Sequence, residues 1–191
     1  MNIVNVGYDS TNYYVLGNAT TKLLIDVGWP GTLPKLLHTL KRKGMHLQEI
    51  EYLVITHYHP DHAGLAQEVK RQGVKLVVLE NQIRAVPALG QYMKPVNHYV
   101  EIDLNDNVNL ATGETRAFLL ALGIEGEIIS TPGHSEDSIT VILDEGAAFT
   151  GDLPHWQIAQ GSDLATSSWE KIRRHNVKMI YPGHGPSRPF E

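Results

Sequence analysis

The sequence predicts an α/β fold in which two β-rich halves, each with its own helices, pack as two sheets with the helices outside. Three observations point there. Short apolar runs separated by turn residues recur along the chain, as expected of strands. Helical spacing of apolar residues interrupts those runs in both halves. The length, 191 residues, suits one domain with a real core. Residues 1–191 are therefore read as one domain, without a linker or low-complexity segment.

The elements follow in order. Residues 2–6, 12–17 and 21–26 are expected to be strands. Gly7-Tyr8-Asp9-Ser10 and Gly17-Asn18-Ala19-Thr20 punctuate them into an opening meander. Over residues 34–43 the spacing turns helical, with Leu36, Leu37 and Leu40 on one face and Gly44 as the stop. Residues 52–56 form a compact buried strand, 63–72 a helix closed by Gly73, and 74–79 another apolar strand. Pro87, Gly90 and Pro95 break the pattern in residues 80–108, a composition suited to a flap or rim. The second half echoes the first coarsely. It has a helix at 115–122, strands at 127–131, 139–143 and 147–150, a helix at 166–175 starting near a capping Ser or Thr, and a last strand at 177–181.

Composition removes several function classes. A net charge of -5 and a pI near 6.0 give no reason to expect a nucleic-acid or membrane partner. The chain has no cysteine, which excludes disulfides, thiolate metal sites and cysteine nucleophiles. Residues 1–7 lack the features of a signal peptide, and no apolar stretch approaches the length of a bilayer span. The expectation is a cytoplasmic protein acting on a small molecule.

The chemistry lies at the ends of strands. Directly after the strand at 52–56 comes His57-Tyr58-His59-Pro60-Asp61-His62. Imidazole suits zinc, iron and similar ions, and a carboxylate adds charge and hardness. His57 and His59, two apart in an extended turn, can point the same way, while Asp61 and His62 can face a second ion nearby. Three later segments repeat the placement: Pro132-Gly133-His134, Gly151-Asp152 and Pro182-Gly183-His184 each follow an apolar strand. The glycine beside each candidate ligand permits a tight turn and close approach.

These segments, with Thr56 before the first and Leu24-Ile25-Asp26-Val27-Gly28 upstream, resemble the motifs of the metallo-β-lactamase superfamily from about residue 3 to residue 186. The resemblance implies a four-layer αββα sandwich with its metal site at one edge of the two sheets. It implies that His57, His59 and His134 hold one ion, that Asp61, His62 and His184 hold a second, and that Asp152 bridges both. Zinc is the default for both ions, and manganese or iron would also fit. Asp26 resembles the superfamily's buried aspartate that supports the site without being a ligand. The implied activity is hydrolysis of an ester-type bond, in a thioester, lactone or phosphodiester, by a hydroxide held between two cations. Asp61 would orient that nucleophile or carry a proton to the leaving group.

Within the superfamily, metallo-β-lactamases proper usually carry cysteine or serine at the position of Asp152. An aspartate there resembles the glyoxalase II-like thioesterases, lactonases and phosphodiesterases. His59 differs from the glutamate of the diiron flavoprotein branch. Only seven residues follow His184, so the glutathione-binding helical region of glyoxalase II proper is not expected. Nor is there the extra histidine motif or protruding arm of the tRNA-processing nucleases. His155 lies about where lactonases place a substrate-positioning tyrosine and is a second catalytic candidate, with an exposed loop histidine as the alternative. Trp29, Tyr58 and Trp156 are candidates for an apolar substrate wall, with simple packing as the alternative. His38, His46, His98 and His175 are read as structural or exposed, His98 being the one placed to reach the cleft. Residues 87–98, with Tyr92 and Met93, are read as a lid or a homodimer contact. Two readings from other classes stand beside the hydrolase. One is a one-iron oxygenase resembling the persulfide dioxygenases and using His57, His134 and Asp152. The other is a metal-binding module without catalysis.

Overall fold

Six short strands of the first half lie side by side in chain order in the computed structural model, which describes residues 1–17 and 21–190. They are β1 (Asn2–Asn5), β2 (Tyr14–Gly17), β3 (Lys22–Ile25), β4 (Tyr52–Val54), β5 (Lys75–Leu79) and β6 (Val108–Leu110). The first three form an antiparallel meander, and β3 to β6 run parallel. Parallel neighbours need a crossover. It is supplied by α1 (Leu33–Arg42) between β3 and β4, and by α2 (Pro60–Ala63) with α3 (Ala66–Lys70) between β4 and β5. Between β5 and β6 the chain makes only the short α4 (Ala85–Ala88) and single turns.

The second sheet has the order β11-β10-β9-β8-β7. After α5 (Thr115–Ala121) come β7 (Gly126–Ser130), β8 (Ile139–Leu143) and β9 (Ala147–Gly151) as antiparallel neighbours. The helix α6 (Asp163–Arg173) then crosses to β10 (Met179–Pro182), parallel to β9, and β11 (Arg188–Pro189) closes the edge.

Successive side chains on a strand face opposite ways, so a strand buried on both faces serves two cores. Leu23 and Ile25 of β3, with Val77 and Leu79 of β5, meet Val141, Leu143 and Phe149 of the other sheet. Leu24, Leu53, Leu76 and Val78 face away from it, onto Leu36 and Leu40 of α1 and Val69 of α3. In the second sheet Ile142, Ala148 and Ile180 face Ala165, Trp169 and Ile172 of α6. The result is helix, sheet, sheet, helix. Each of the Leu, Ile, Val and Phe side chains among them stabilises by about 1.5–3 kcal/mol on burial. Among the described residues, no helix is long and apolar enough to cross a membrane.

The expected element order is present, with local departures. The helix expected at 63–72 starts earlier, at Pro60, whose fixed φ suits a first helical position, and it is split in two at Gly64-Leu65. On α1 the buried face is narrower than expected, for Leu37 is exposed while Leu36 and Leu40 are buried. The strand expected from residue 12 starts at Tyr14, because Asn12 bonds elsewhere. The helix expected at 166 starts at Asp163, where the Ser162 hydroxyl accepts the Ala165 N–H. β6 and β11 were not expected; two or three residues are too few to show a period. The turn expected at Asn18-Ala19-Thr20 lies outside the described residues.

Candidate metal centre

Asp26, at the end of β3, adopts φ +61, a left-handed conformation that aspartate tolerates better than most residues. This turn sends its carboxylate back under the next loop. Oδ1 accepts the Thr56 N–H at 2.6 Å, and Oδ2 accepts the Thr56 hydroxyl at 2.7 Å. Oδ2 also lies 2.9 Å from His62 Nδ1, which must donate to it. With its hydroxyl hydrogen given to Asp26, Thr56 Oγ1 can accept from His57 Nδ1 at 3.2 Å. At the far side of the site, His184 Nδ1 donates to the Ser10 carbonyl at 2.7 Å. Each of these three rings therefore holds a proton on Nδ1 and turns its Nε2 inward.

The inward atoms converge. Three groups, His57/His59/His134, His57/His62/Asp152 and Asp61/His62/His184, each bring their ligand atoms within 4.8 Å of one another. Asp152 stands between them, with Oδ1 at 3.3 Å from His62 Nε2 and Oδ2 at 3.3 Å from His184 Nε2 and 3.8 Å from His134 Nε2. Asp61 Oδ2 approaches His184 Nε2 at 3.2 Å and accepts the Thr11 hydroxyl at 3.2 Å. His134 Nε2 and His59 Nδ1 face each other at 3.0 Å.

A bound cation explains features that the protein alone does not. His57 Nε2, His62 Nε2 and Asp152 Oδ1 are buried without a hydrogen-bond partner and belong to one candidate ligand group, where a cation would satisfy all three. Burial, with the neighbouring histidines, holds the His57 imidazole well below its usual range, so its lone pair stays free. Burial also works against charge on His62, but Asp26 and Asp152 override it and push its pKa up to about 10. The same burial opposes charge on Asp152, yet the approach of His62 keeps its carboxyl below the ordinary carboxylate value. Charge is thus favoured at His62 and disfavoured at His57 and His134, and the imidazole and carboxylate donors of the centre suit borderline divalent ions.

A family model of the metallo-β-lactamase superfamily matches residues 6–184. The chain belongs to the metallo-β-lactamase superfamily. A Caenorhabditis elegans protein described as a beta-lactamase-like protein 2 homolog is 30% identical over 92% of this chain and 56% of its own length. A probable metallo-hydrolase of Methanocaldococcus jannaschii is 27% identical, covering 94% of this chain and 89% of that one. A thioesterase of Emericella nidulans is 27% identical over 92% of this chain and 46% of its own. The chain thus spans about half the length of two of these relatives. Among solved structures, the BLEG-1 B3 metallo-β-lactamase superposes with a TM-score of 0.73 at 25% identity, covering 98% of this chain and 93% of that one.

Two cavities flank the centre of this superfamily member. One, of about 650 Å³, lies beside His59 and is lined by Tyr58, Glu80, Asn81, Arg84 and Tyr92. The other, of about 300 Å³, is lined by His134, Asp152, His155, His184 and Arg188. The aromatic candidates divide. Tyr58 borders the larger cavity, but its ring is buried in the core beneath the site. Trp29 is exposed and lines neither cavity. Trp156 lines neither, since His155, Trp169 and Phe190 pack around its ring. His155 is on the rim of the smaller cavity, stacked on Trp156. His38, His46 and His98 are exposed, and His175 pairs with Glu127. Tyr92 of the 87–98 segment contacts the His59 ring, with centroids 5.3 Å apart.

Several supports escaped the sequence reading. The buried Asp137 accepts the Tyr58 N–H at 2.7 Å, and the Gln82 amide donates to the carbonyls of Ile55 and Asp137. Together they fasten the His57–His59 loop to the loop that carries His134. Asn12 ties the opening turn to the closing one by donating to the carbonyls of Pro182 and Gly185. The asparagine and aspartate beside turns are the only sequence signal for these roles, and it is not specific.

Proposed function

We propose that this chain is a binuclear metallohydrolase that cleaves an ester-type bond, with a thioester as the first substrate class to test and a lactone or phosphodiester next. The observation that carries the reading is the set of three interlocking ligand groups around unpartnered His57 Nε2 and His62 Nε2. His57, His59 and His134 would hold one ion, Asp61, His62 and His184 the other, with Asp152 shared. Zinc is the default ion for such donors. Bound there, the ions would supply a water that ionises near neutral pH and an electrophile for the oxygen of the group under attack.

The chain's own residues supply orientation and proton transfer. Asp26, Thr56 and the Ser10 carbonyl engage Nδ1 of three imidazoles and so leave each Nε2 to face an ion. Asp61, partly exposed beside His184, can take the proton of the attacking water and return it to the leaving group. For a thioester the water oxygen joins the acyl carbon, the carbon–sulfur bond breaks, and the proton goes to the thiolate. His155, on the rim of the smaller cavity, is placed to steady the substrate. The description of one relative as a thioesterase supports starting with thioesters.

Elemental analysis combined with a thioester, lactone, phosphodiester and β-lactam panel tests the reading. We expect two ions per chain and thioester turnover, reduced at least about 100-fold in Asp61→Ala, the scale of a lost general acid–base group. Full activity in that variant, or no turnover of any substrate by the metal-replete protein, would overturn it. One iron per chain with oxygen uptake would instead favour the oxygenase reading.

A further inference from the structure

We propose that the smaller cavity is an oxyanion subsite in which Arg188 recognises a carboxylate or phosphate carried by the substrate. The inference deepens the hydrolase reading and rests on it for the reaction, though not for the binding. Arg188 lies on β11, opposite Ile180 of β10, so the turn carrying His184 leads directly back to it. It shares the 300 Å³ cavity with His134, Asp152 and His184. Its guanidinium sits 5.4 Å from the centroid of the Trp156 ring. That ring is itself wedged by Trp169 and Phe190 and stacked on His155 at 3.9 Å.

What the guanidinium lacks is a partner. Among the described residues no carboxylate pairs with it, and its Nε is buried without any acceptor. Arg116 shows the ordinary alternative, held by Asp144 and Glu127 at 2.8 and 2.7 Å. Arginine offers a planar fork of donors that matches an oxyanion, and the cation–π contact with Trp156 restrains that fork. A cation restrained at the wall of the metal-bearing cavity, with donors unspent, is built to receive an anion from outside. Arg188 is thus a recognition residue beside the reacting atoms. A substrate with a terminal carboxylate or phosphate would place it there while its ester-type bond lies over the centre.

The test pairs two esters with the same leaving group, 4-nitrophenyl acetate and mono-4-nitrophenyl glutarate, on the metal-loaded protein. We expect kcat/KM for the anionic ester to fall about 10- to 100-fold in Arg188→Gln, the range for losing a hydrogen bond to a charged group. The neutral ester should change less than about twofold, and Arg188→Lys should recover part of the loss. A readout without turnover is tryptophan fluorescence, because Trp156 lies against Arg188. Titration with glutarate and with inorganic phosphate should give a saturable change in the wild type that Arg188→Gln lacks. The anion that saturates at lower concentration identifies the group preferred. Equal losses on both esters, or an unchanged titration in Arg188→Gln, would overturn the subsite. If the wild type turns over neither these esters nor any substrate of the thioester, lactone, phosphodiester and β-lactam panel but retains the titration, the hydrolase reading falls and the subsite stands.

Discussion

Asp26→Asn isolates what the buried carboxylate contributes, since asparagine accepts the left-handed backbone of this position about as well as aspartate. The amide oxygen can keep the bond from the Thr56 N–H. Its NH2 group then replaces the oxygen that takes the Thr56 hydroxyl at 2.7 Å and His62 Nδ1 at 2.9 Å. Thr56 can rotate its hydroxyl away. His62 has two options: to leave Nδ1–H against an NH2 group, or to move its proton to Nε2 and lose the inward lone pair. Each bond to a charged group is worth about 1.5–3 kcal/mol, and weaker neutral bonds recover part of it, so we expect a loss of about 3 kcal/mol. Asp26 is only 2% exposed, and solvent screening does not reduce that figure. For a chain of this size the loss lowers Tm by roughly 6–12 °C. Metal affinity should fall about 10- to 100-fold, as for other groups that orient a ligand from behind. Urea unfolding of the metal-free protein measures the first effect, and competition with a chelator measures the second. Destabilisation below about 1 kcal/mol together with wild-type affinity would refute the assignment of Asp26 as the anchor of His62.

Two further variants probe the centre from other sides. A Cβ at Gly183 would lie 2.4 Å from Asp152 Oδ1 and 2.6 Å from His62 Cε1. Gly183→Ala should therefore displace two candidate ligands at once and weaken metal binding about tenfold or more, measured by chelator competition, at about 1–3 kcal/mol of overpacking cost. Wild-type affinity there would mean that these two side chains are not held by a metal. His184→Ala removes one member of Asp61/His62/His184 and leaves His57/His59/His134 whole. Elemental analysis after dialysis should find one tightly held ion per chain where the wild type holds two, and loss of both would show that the groups do not bind separately.

The uneven legibility of this molecule has a physical cause. Metal chemistry restricts residue type, so candidate ligands stand out as letters: His57, His59, Asp61 and His62 announce themselves in six residues, and Gly133, Gly151 and Gly183 mark the turns beside the other candidates. The strands are equally visible, because burial on both faces leaves Thr140 as the one polar residue in Ile139–Leu143. Supports are different. Ser10 holds His184 through its carbonyl, and Asn12 fixes the same turn through the carbonyls of Pro182 and Gly185, across 170 to 174 residues of chain. Any residue could supply those carbonyl oxygens, so no letter in the sequence marks them. Trp29 and Trp156 show the opposite case: an aromatic next to a motif looks like a pocket wall, yet the exposure of one and the packing of the other, both outside the two flanking cavities, follow from neighbours distant in sequence. Arg188 escaped for the same reason. Its meaning lies in the absence of a partner, which depends on every other side chain being placed, and that is why a lone arginine near the end of the chain says nothing until Trp156 and the cavity are beside it.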